Sequence, residues 1–416
     1  MEKTAITTSA ALCTVVMFVQ SVTAVETASQ YQLTNPTVLS KTHAQTNTEK
    51  DFMSLIKSAL ATVKQIQGME PGTEYTVMVE GKQERGQKEL FLYRRTADEI
   101  MASGLSSGCG DYATIFYFLM KNKGVDARFI SGVELSISSL LYNFSDHTGV
   151  AVSNGSRWIL VDPTQGKVIS QNWDVGSQIY EDKFLIIFSG PREGFPVKGA
   201  EQLKQFNANG LKTAPKDVIN ERINGFDIQI DSSLLAPDGN PSTEAQSFVK
   251  KVAELFSEYG ISPIKKTPLM IVRGAPHLTM RYDKAGWIVY MDKVVGSYRE
   301  LNLLSEIDKT DNDLQTLAEA NKLVRLNFIV DDSLKNPDGT YVNPNLTNFL
   351  TIGEGIYEKF EVSSTRKTTV YLKRGEDNFA TYVKPGPDGQ WTAYIGTKSA
   401  MQISLFLYFE KTIAHK

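Results

Sequence analysis

Cysteine is almost missing from this chain: among 416 residues only Cys13 and Cys109 occur. Cys13 falls in a segment, residues 1–24, that reads as a secretory signal peptide. Lys3 stands near its start, an apolar core runs from Ala10 to Val19, and the small residues Val22-Thr23-Ala24 precede a cleavage point. Removal of that segment leaves Cys109 as the single thiol, so the mature chain is expected to form no internal disulfide and to be secreted or periplasmic. An exported protein that keeps one unpaired thiol in an oxidising compartment either buries it or uses it. Long apolar runs are also missing. Beyond the first 24 residues nothing approaches the ~18 apolar residues of a membrane span, which excludes a transmembrane helix. Charge of one sign is not in excess: a formal net charge of -3 gives no reason to expect nucleic acid or an anionic membrane as partner. No metal-ligand cluster is read from the sequence, and no cofactor is implied.

What is present is one stretch, SGCGDYATIFYFLMKNKGVDARFISG at residues 107–132, that places Cys109 at the start of an amphipathic helix. Tyr112, Ile115, Phe116, Leu119 and Met120 recur at helical spacing, and Lys121 to Gly124 supply a cationic last turn and a glycine stop. Gly108 and Gly110 flank the cysteine and would let backbone approach a ligand closely. A thiol in the first turn of a helix faces the positive end of the helix dipole, which favours the nucleophilic thiolate. A second stretch, DHTGVAVSNGSRWILVDPT at 146–164, alternates around Asn154-Gly155 and reads as a hairpin. With a two-residue turn, His147 and Asp162 stand directly opposite each other; a loop of three or four residues would shift that register. Cys109, His147 and Asp162 are therefore the candidate catalytic residues: nucleophile, proton carrier and the carboxylate that orients the imidazole. The oxyanion would be received by the Cys109 backbone N–H and one further donor, with Gln87, Ser106 and Ser107 as candidates that ordinary loop chemistry explains equally.

These residues carry a resemblance. GCGDYATIFYFLMKNKGVDARFISG resembles the cysteine motif of the transglutaminase-like superfamily, and DHTGVAV and RWILVDPT resemble its histidine and aspartate motifs, in the family's order. The resemblance covers residues 50 to 190 and implies an α+β, papain-like cysteine enzyme core with a Cys-His-Asp triad. One departure stands out: the family usually has Ala-Trp after the histidine, and Thr148-Gly149 follows here. Losing that aromatic is expected to open the pocket to water and to favour hydrolysis over transfer to an amine.

The domain reading places a flexible leader at 25–48, the transglutaminase-like domain at 49–190 and a linker at 191–222. A first repeat module spans 223–300, a helical connector 301–324 and a second module 325–416. The modules rest on IQIDSSLLAPDG (228–239) and FIVDDSLKNPDG (328–339), in which Asp231, Ser233, Leu234, Pro237, Asp238 and Gly239 recur 100 positions later. Each is expected to be a small α+β unit of a strand, a helix and an antiparallel meander. Strands are expected at Glu74–Glu80 and Leu90–Arg95, with a loop at 81–87. The favoured function is an exported cysteine peptidase or amidase that acts on peptide or protein amides through an acyl-thioester on Cys109. The alternatives are a protein-crosslinking transglutaminase, a non-catalytic binding protein on the same fold, and an interaction protein whose repeats hold a cell surface or protein ligand.

Overall fold

Phe52, Ile56, Ala59, Leu60 and Val63 fall on one helical stripe, and helix α1 (Glu49–Val63) buries all five. The computed structural model describes residues 49–142, 146–274, 279–283, 286–291, 297–365, 367–399, 401 and 403–414. The expected signal peptide and leader lie outside the described residues. The architecture is mixed α+β, and no helix of the described residues is long and apolar enough to cross a membrane.

After α1, the short β1 (Gln67–Gly68) is followed by a hairpin of β2 (Tyr75–Val79) and β3 (Lys82–Gly86), the latter replacing the loop expected at 81–87. The strand expected at Leu90–Arg95 is instead helix α2 (Lys88–Phe91) and a turn that carries Tyr93 at φ 58°. Alternation there came from side chains that pack around a turn: Phe91 and Tyr93 are both buried. Helix α3 (Ala97–Ser103) is framed by a capping box, Thr96 with Glu99, and by Gly104 in the left-handed region at φ 65°. β4 (Leu105–Ser106) pairs in parallel with β1 and delivers the chain to helix α4 (Cys109–Asn122).

Helix α4 packs on a six-stranded antiparallel sheet. The sheet's strands are β5 (Asp126–Glu134), β6 (Asp146–Ser153), β7 (Trp158–Asp162), β8 (Lys167–Ser170), β9 (Ile179–Tyr180) and β10 (Phe184–Gly190), in the order β8-β7-β6-β5-β10-β9. Period-two alternation divides its side chains. Phe129, Val150, Val152, Ile159 and Val161 join Ile115, Phe116 and Met120 in the core under α4 and α1. Ile130, Ala151 and Leu160 point the other way, into a cluster with Trp173, Tyr180 and Phe184. Helix α5 (Ile137–Tyr142) follows β5.

The segment 191–222, expected as a linker, is folded. It forms helices α6 (Ala200–Thr213) and α7 (Lys216–Arg222), which bury Leu203, Leu211 and Ile219. Its composition hid this: Gly210 lies within α6 against Ile187, where a Cβ would come 2.5 Å from Ile187 Cγ2, so a residue that reads as a breaker is what lets the helix dock. Then come β11 (Gly225–Ile230), α8 (Thr243–Glu258), β12 (Lys266–Arg273), β13 (Thr279–Asp283) and β14 (Gly286–Met291). Helix α9 (Ser297–Glu319) leads to β15 (Arg325–Val330), α10 (Leu346–Lys359), β16 (Lys367–Arg374), β17 (Thr381–Pro385), β18 (Trp391–Ile395) and α11 (Ile403–Ala414). The two four-stranded sheets have corresponding orders, β11-β12-β14-β13 and β15-β16-β18-β17. Neither is the expected meander, because the third strand goes to the edge and the last inserts beside the second in parallel. Gly286 permits this in the first sheet: a Cβ there would lie 2.9 Å from the Pro268 carbonyl oxygen of the neighbouring strand. One apolar core runs from Val133, Leu140 and Leu185 through Leu211 and Ile219 into both sheets.

Candidate active site

Cys109 occupies the first turn of α4 and is half-buried with a free thiol. Its position is set by Asp111, two residues on, whose Oδ2 accepts from the Ser107 backbone N–H (2.7 Å), from Ser107 Oγ (2.8 Å) and from Arg95 Nη2 (2.6 Å). Arg95 and Asp111 are almost fully buried, and Arg95 also donates to the Leu105 carbonyl (2.5 Å) and to Ser103 Oγ (3.1 Å). One ion pair thus ties α3, the loop before the cysteine and the first turn of α4 together. Of the candidate oxyanion donors, Ser107 is committed to Asp111. Ser106 Oγ donates to the Gly108 carbonyl (2.9 Å), and Gln87 stands at the N-cap of α2.

The hairpin turn is a four-residue loop. Val150 pairs with Val161 and Ser153 with Trp158, so Asp162 lies across from Gly149 and not from His147. Asn154 Oδ1 accepts from the Ser156 and Arg157 backbone N–H groups, an Asx arrangement that lengthens the loop. The shift is by two residues, which preserves the face, and a diagonal pair remains within reach of long side chains. His147 Nε2 and Asp162 Oδ2 are 3.0 Å apart, while Asp162 Oδ1 accepts from the Gln165 N–H at 3.0 Å. Burial alone would depress the imidazole, but hydrogen bonds to Asp162 and Cys109 and their charges outweigh it and push His147 up to about 10. Asp162 is pushed up by burial, yet its hydrogen bonds from His147 and the Gln165 N–H hold the carboxyl below its ordinary value. With Nε2 committed to the carboxylate, Nδ1 is the nitrogen left for the thiol.

Thr148 does not open the pocket. It is fully buried, with Oγ1 3.5 Å from Cys109 Sγ and 2.8 Å from the Tyr93 hydroxyl. Tyr93 donates to Asp146 Oδ2 at 3.0 Å and lies 4.0 Å from Cys109 Sγ. Burial raises Asp146 to about 6, against the pull of the Tyr93 hydrogen bond and the His147 charge. Gly110 is needed for this ring and not for a ligand: a Cβ there would be 2.1 Å from Tyr93 Cε1. Aromatic walls come from β9 and β10. The His147 ring lies 5.4 Å from Phe184 and 6.3 Å from Tyr180, centroid to centroid. Glu181 is also brought in. The ligand atoms of His147, Asp162 and Glu181 lie within 4.8 Å of one another, a grouping able to hold a metal ion that the sequence pattern did not display.

No protein-family model matches the chain, and no curated protein does. The site is therefore read on its own geometry. Tyr93 and Tyr180 were missed in the sequence because each lies well away from the cysteine and histidine motifs. Tyr93 sat in a run taken for a strand, and Tyr180 in a two-residue strand too short to read.

Proposed function

We propose that this protein is a transglutaminase-like cysteine hydrolase that cleaves peptide or protein amides through an acyl-thioester on Cys109. The observation that carries the reading is the 3.0 Å contact of His147 with Asp162 beside a half-buried thiol in a helix's first turn. The thiolate adds to the carbonyl carbon, and the imidazolium gives its proton to the leaving nitrogen. Asp162 keeps the ring oriented throughout. Water, deprotonated by the neutral imidazole, then releases the acid and restores the thiol. Asp146 and Thr148, held by Tyr93, fix the strand end from which His147 projects. We further infer that the two four-stranded sheets are copies of one module that holds a protein or cell-surface ligand.

A second reading, protein crosslinking, is favoured by the rings of Tyr180 and Phe184 beside His147, which limit water at a thioester. The two are separated by incubating protein substrates with and without a labelled primary amine and following products by mass spectrometry. Hydrolysis lost in Cys109→Ala is the expected result. Amine incorporation that outpaces hydrolysis would make the protein a transglutaminase, and no turnover of either kind would leave a binding protein on this fold.

A further inference from the structure

The last four-stranded sheet has one side built into the core and the other side bare. Phe328, Val370, Leu372, Ala393 and Ile395 line the continuous core, Phe328 against the rings of Phe349 and Phe409. None of the strand residues that alternate to the opposite side is buried. The pairing register fixes which residues stand there. Ile329 lies beside Tyr371, Tyr371 beside Thr392, Lys373 beside Tyr394, Tyr394 beside Tyr382, and Lys384 beside Thr392. Tyr371, Tyr394 and Tyr382 thus occupy three adjacent strands, a platform about 10 Å across at the ordinary interstrand spacing. The Tyr382 and Tyr394 rings stack at 5.0 Å and 20°, and the Lys384 ammonium lies 5.2 and 5.5 Å from their centroids.

Charge on this side is of one sign. Lys367, Lys373 and Lys384 alternate onto it, Arg325 at its corner is paired with Glu354, and none of its strand residues is a carboxylate. The neighbouring carboxylates Asp331 and Asp377 stand in turns outside the strands, where they accept from the Ser333 and Phe379 N–H groups. The first module does not share the set. Matched through Trp287 and Trp391, it has Met270, Val272 and Ile288 where the second module has Tyr371, Lys373 and Thr392.

We propose that this face of the second module binds an acidic polysaccharide, with sugar rings packed on the tyrosines and carboxylates met by the lysines. Exposed tyrosine rings offer a rigid, amphipathic contact surface at low entropic cost. The lysines supply the opposite charge, and Thr369, Thr392 and Asn327 place hydrogen-bonding groups for sugar hydroxyls between them. Single-stranded nucleic acid also stacks on aromatic rings in basic grooves. Its closely spaced phosphates call for a continuous basic track, whereas these lysines are separated by hydroxyl and aromatic side chains. The proposal rests on the reading of the modules as ligand holders and does not depend on the thiol.

The test titrates the full chain with hyaluronate in a calorimeter, with dextran as a neutral polymer and oligo-dT as a nucleic acid. Hyaluronate should bind, less tightly as salt rises, and dextran should not. Lys373→Gln/Lys384→Gln should weaken binding about tenfold or more, the scale of losing charge-assisted contacts. Tyr371→Ser/Tyr382→Ser leaves the charge untouched and should weaken it by a similar factor; Tyr382→Ser alone, at an exposed ring, covers the case in which the pair does not fold. Hyaluronate binding that survives all of these variants overturns the assignment to this face and leaves the modules as ligand holders. Loss with the lysines alone, or dextran or oligo-dT bound as tightly, overturns an acidic saccharide as the ligand. Binding of none of the three polymers overturns this proposal together with the cell-surface part of the module reading.

Discussion

Replacing Arg95 by methionine tests whether a buried charge pair, rather than the helix itself, holds the thiol in place. The substitution keeps most of the side-chain volume and removes the 2.6 Å partner of Asp111, along with the bonds to the Leu105 carbonyl and Ser103 Oγ. Breaking a buried ion pair from one side costs about 3–5 kcal/mol because the remaining charge stays desolvated. Asp111 keeps the Ser107 N–H and hydroxyl, so the lower end, about 3 kcal/mol, applies here. That is a large share of the roughly 5–15 kcal/mol by which a folded domain is stable. Asp111→Asn removes the residual charge while retaining an acceptor for Ser107, so the pair Arg95→Met/Asp111→Asn should be more stable than Arg95→Met alone. Urea titrations of both variants give the energies, and the iodoacetamide rate at Cys109 reports whether residues 105–108 have loosened. A cost below about 1 kcal/mol for Arg95→Met, or a double variant no more stable than the single, would refute the reasoning.

Three further outcomes follow from the same contacts. His147 rises from 6.5 unfolded to about 10 folded, so its favourable charge is fully present below pH 6.5 and is lost as pH rises through about 10; the stability gap between wild type and His147→Asn, read by urea midpoint, should shrink across that window, and a gap independent of pH would be the contrary result. Glu410 accepts from the Val324 N–H (3.1 Å) and Tyr357 hydroxyl (3.0 Å), and burial lifts it from 4.5 to about 7. Its contribution is present below pH 4.5 and is lost as pH rises through about 7, so Glu410→Gln should gain on the order of 3 kcal/mol at pH 8 relative to wild type and flatten that slope, as measured by thermal melts. Gly110→Ala forces a methyl against the Tyr93 ring and should cost about 1–3 kcal/mol in a urea titration; a neutral result would mean that the ring is not held where it is described.

The parts legible in the sequence are those in which one local pattern decides the outcome. The stripe on α1 names its buried face, while that on α4 names only part of it: Ile115, Phe116 and Met120 are buried, Tyr112 and Leu119 are half-buried, and Ala113, Thr114 and Tyr117 are buried outside the stripe; the glycine stop and cap residues mark where α3 and α4 end. Turn chemistry was legible at the 3-10 turns that follow β11 and β15, where Asp231 and Asp331 accept from the Ser233 and Ser333 N–H groups at 2.8 and 2.9 Å. What a local pattern does not carry is pairing between distant pieces. Strand β14 runs beside β12 rather than β13 alone because Gly286 lets the backbones close, a fact about residue 268 as much as 286. The hairpin register depended on whether Asn154 would close a tight turn or bond forward to Ser156 and Arg157. His147 and Asp162 survived that error because the shift was even; an odd shift would have put them on opposite faces. Tyr93 was hidden for a related reason, since its left-handed backbone is imposed by what it meets, namely Asp146, Thr148 and the space that Gly110 leaves.

The continuous core has a consequence for how this molecule can be cut. Val133, Leu135, Ile137 and Leu140 belong to the thiol-bearing half by sequence, but the surfaces that keep water from them include Leu211, Ile219 and the apolar side of the first four-stranded sheet. The Tyr259 hydroxyl donates to the Leu140 carbonyl at 3.0 Å, and the Ile137 N–H donates to Asp308 at 3.1 Å, so the seam is hydrogen-bonded as well as greasy. A fragment ending at residue 190 would present those side chains to solvent as a sticky patch and should be recovered as aggregate. A thiol-bearing fragment that keeps this seam covered therefore has to extend at least through α9, where the far wall of that seam is built.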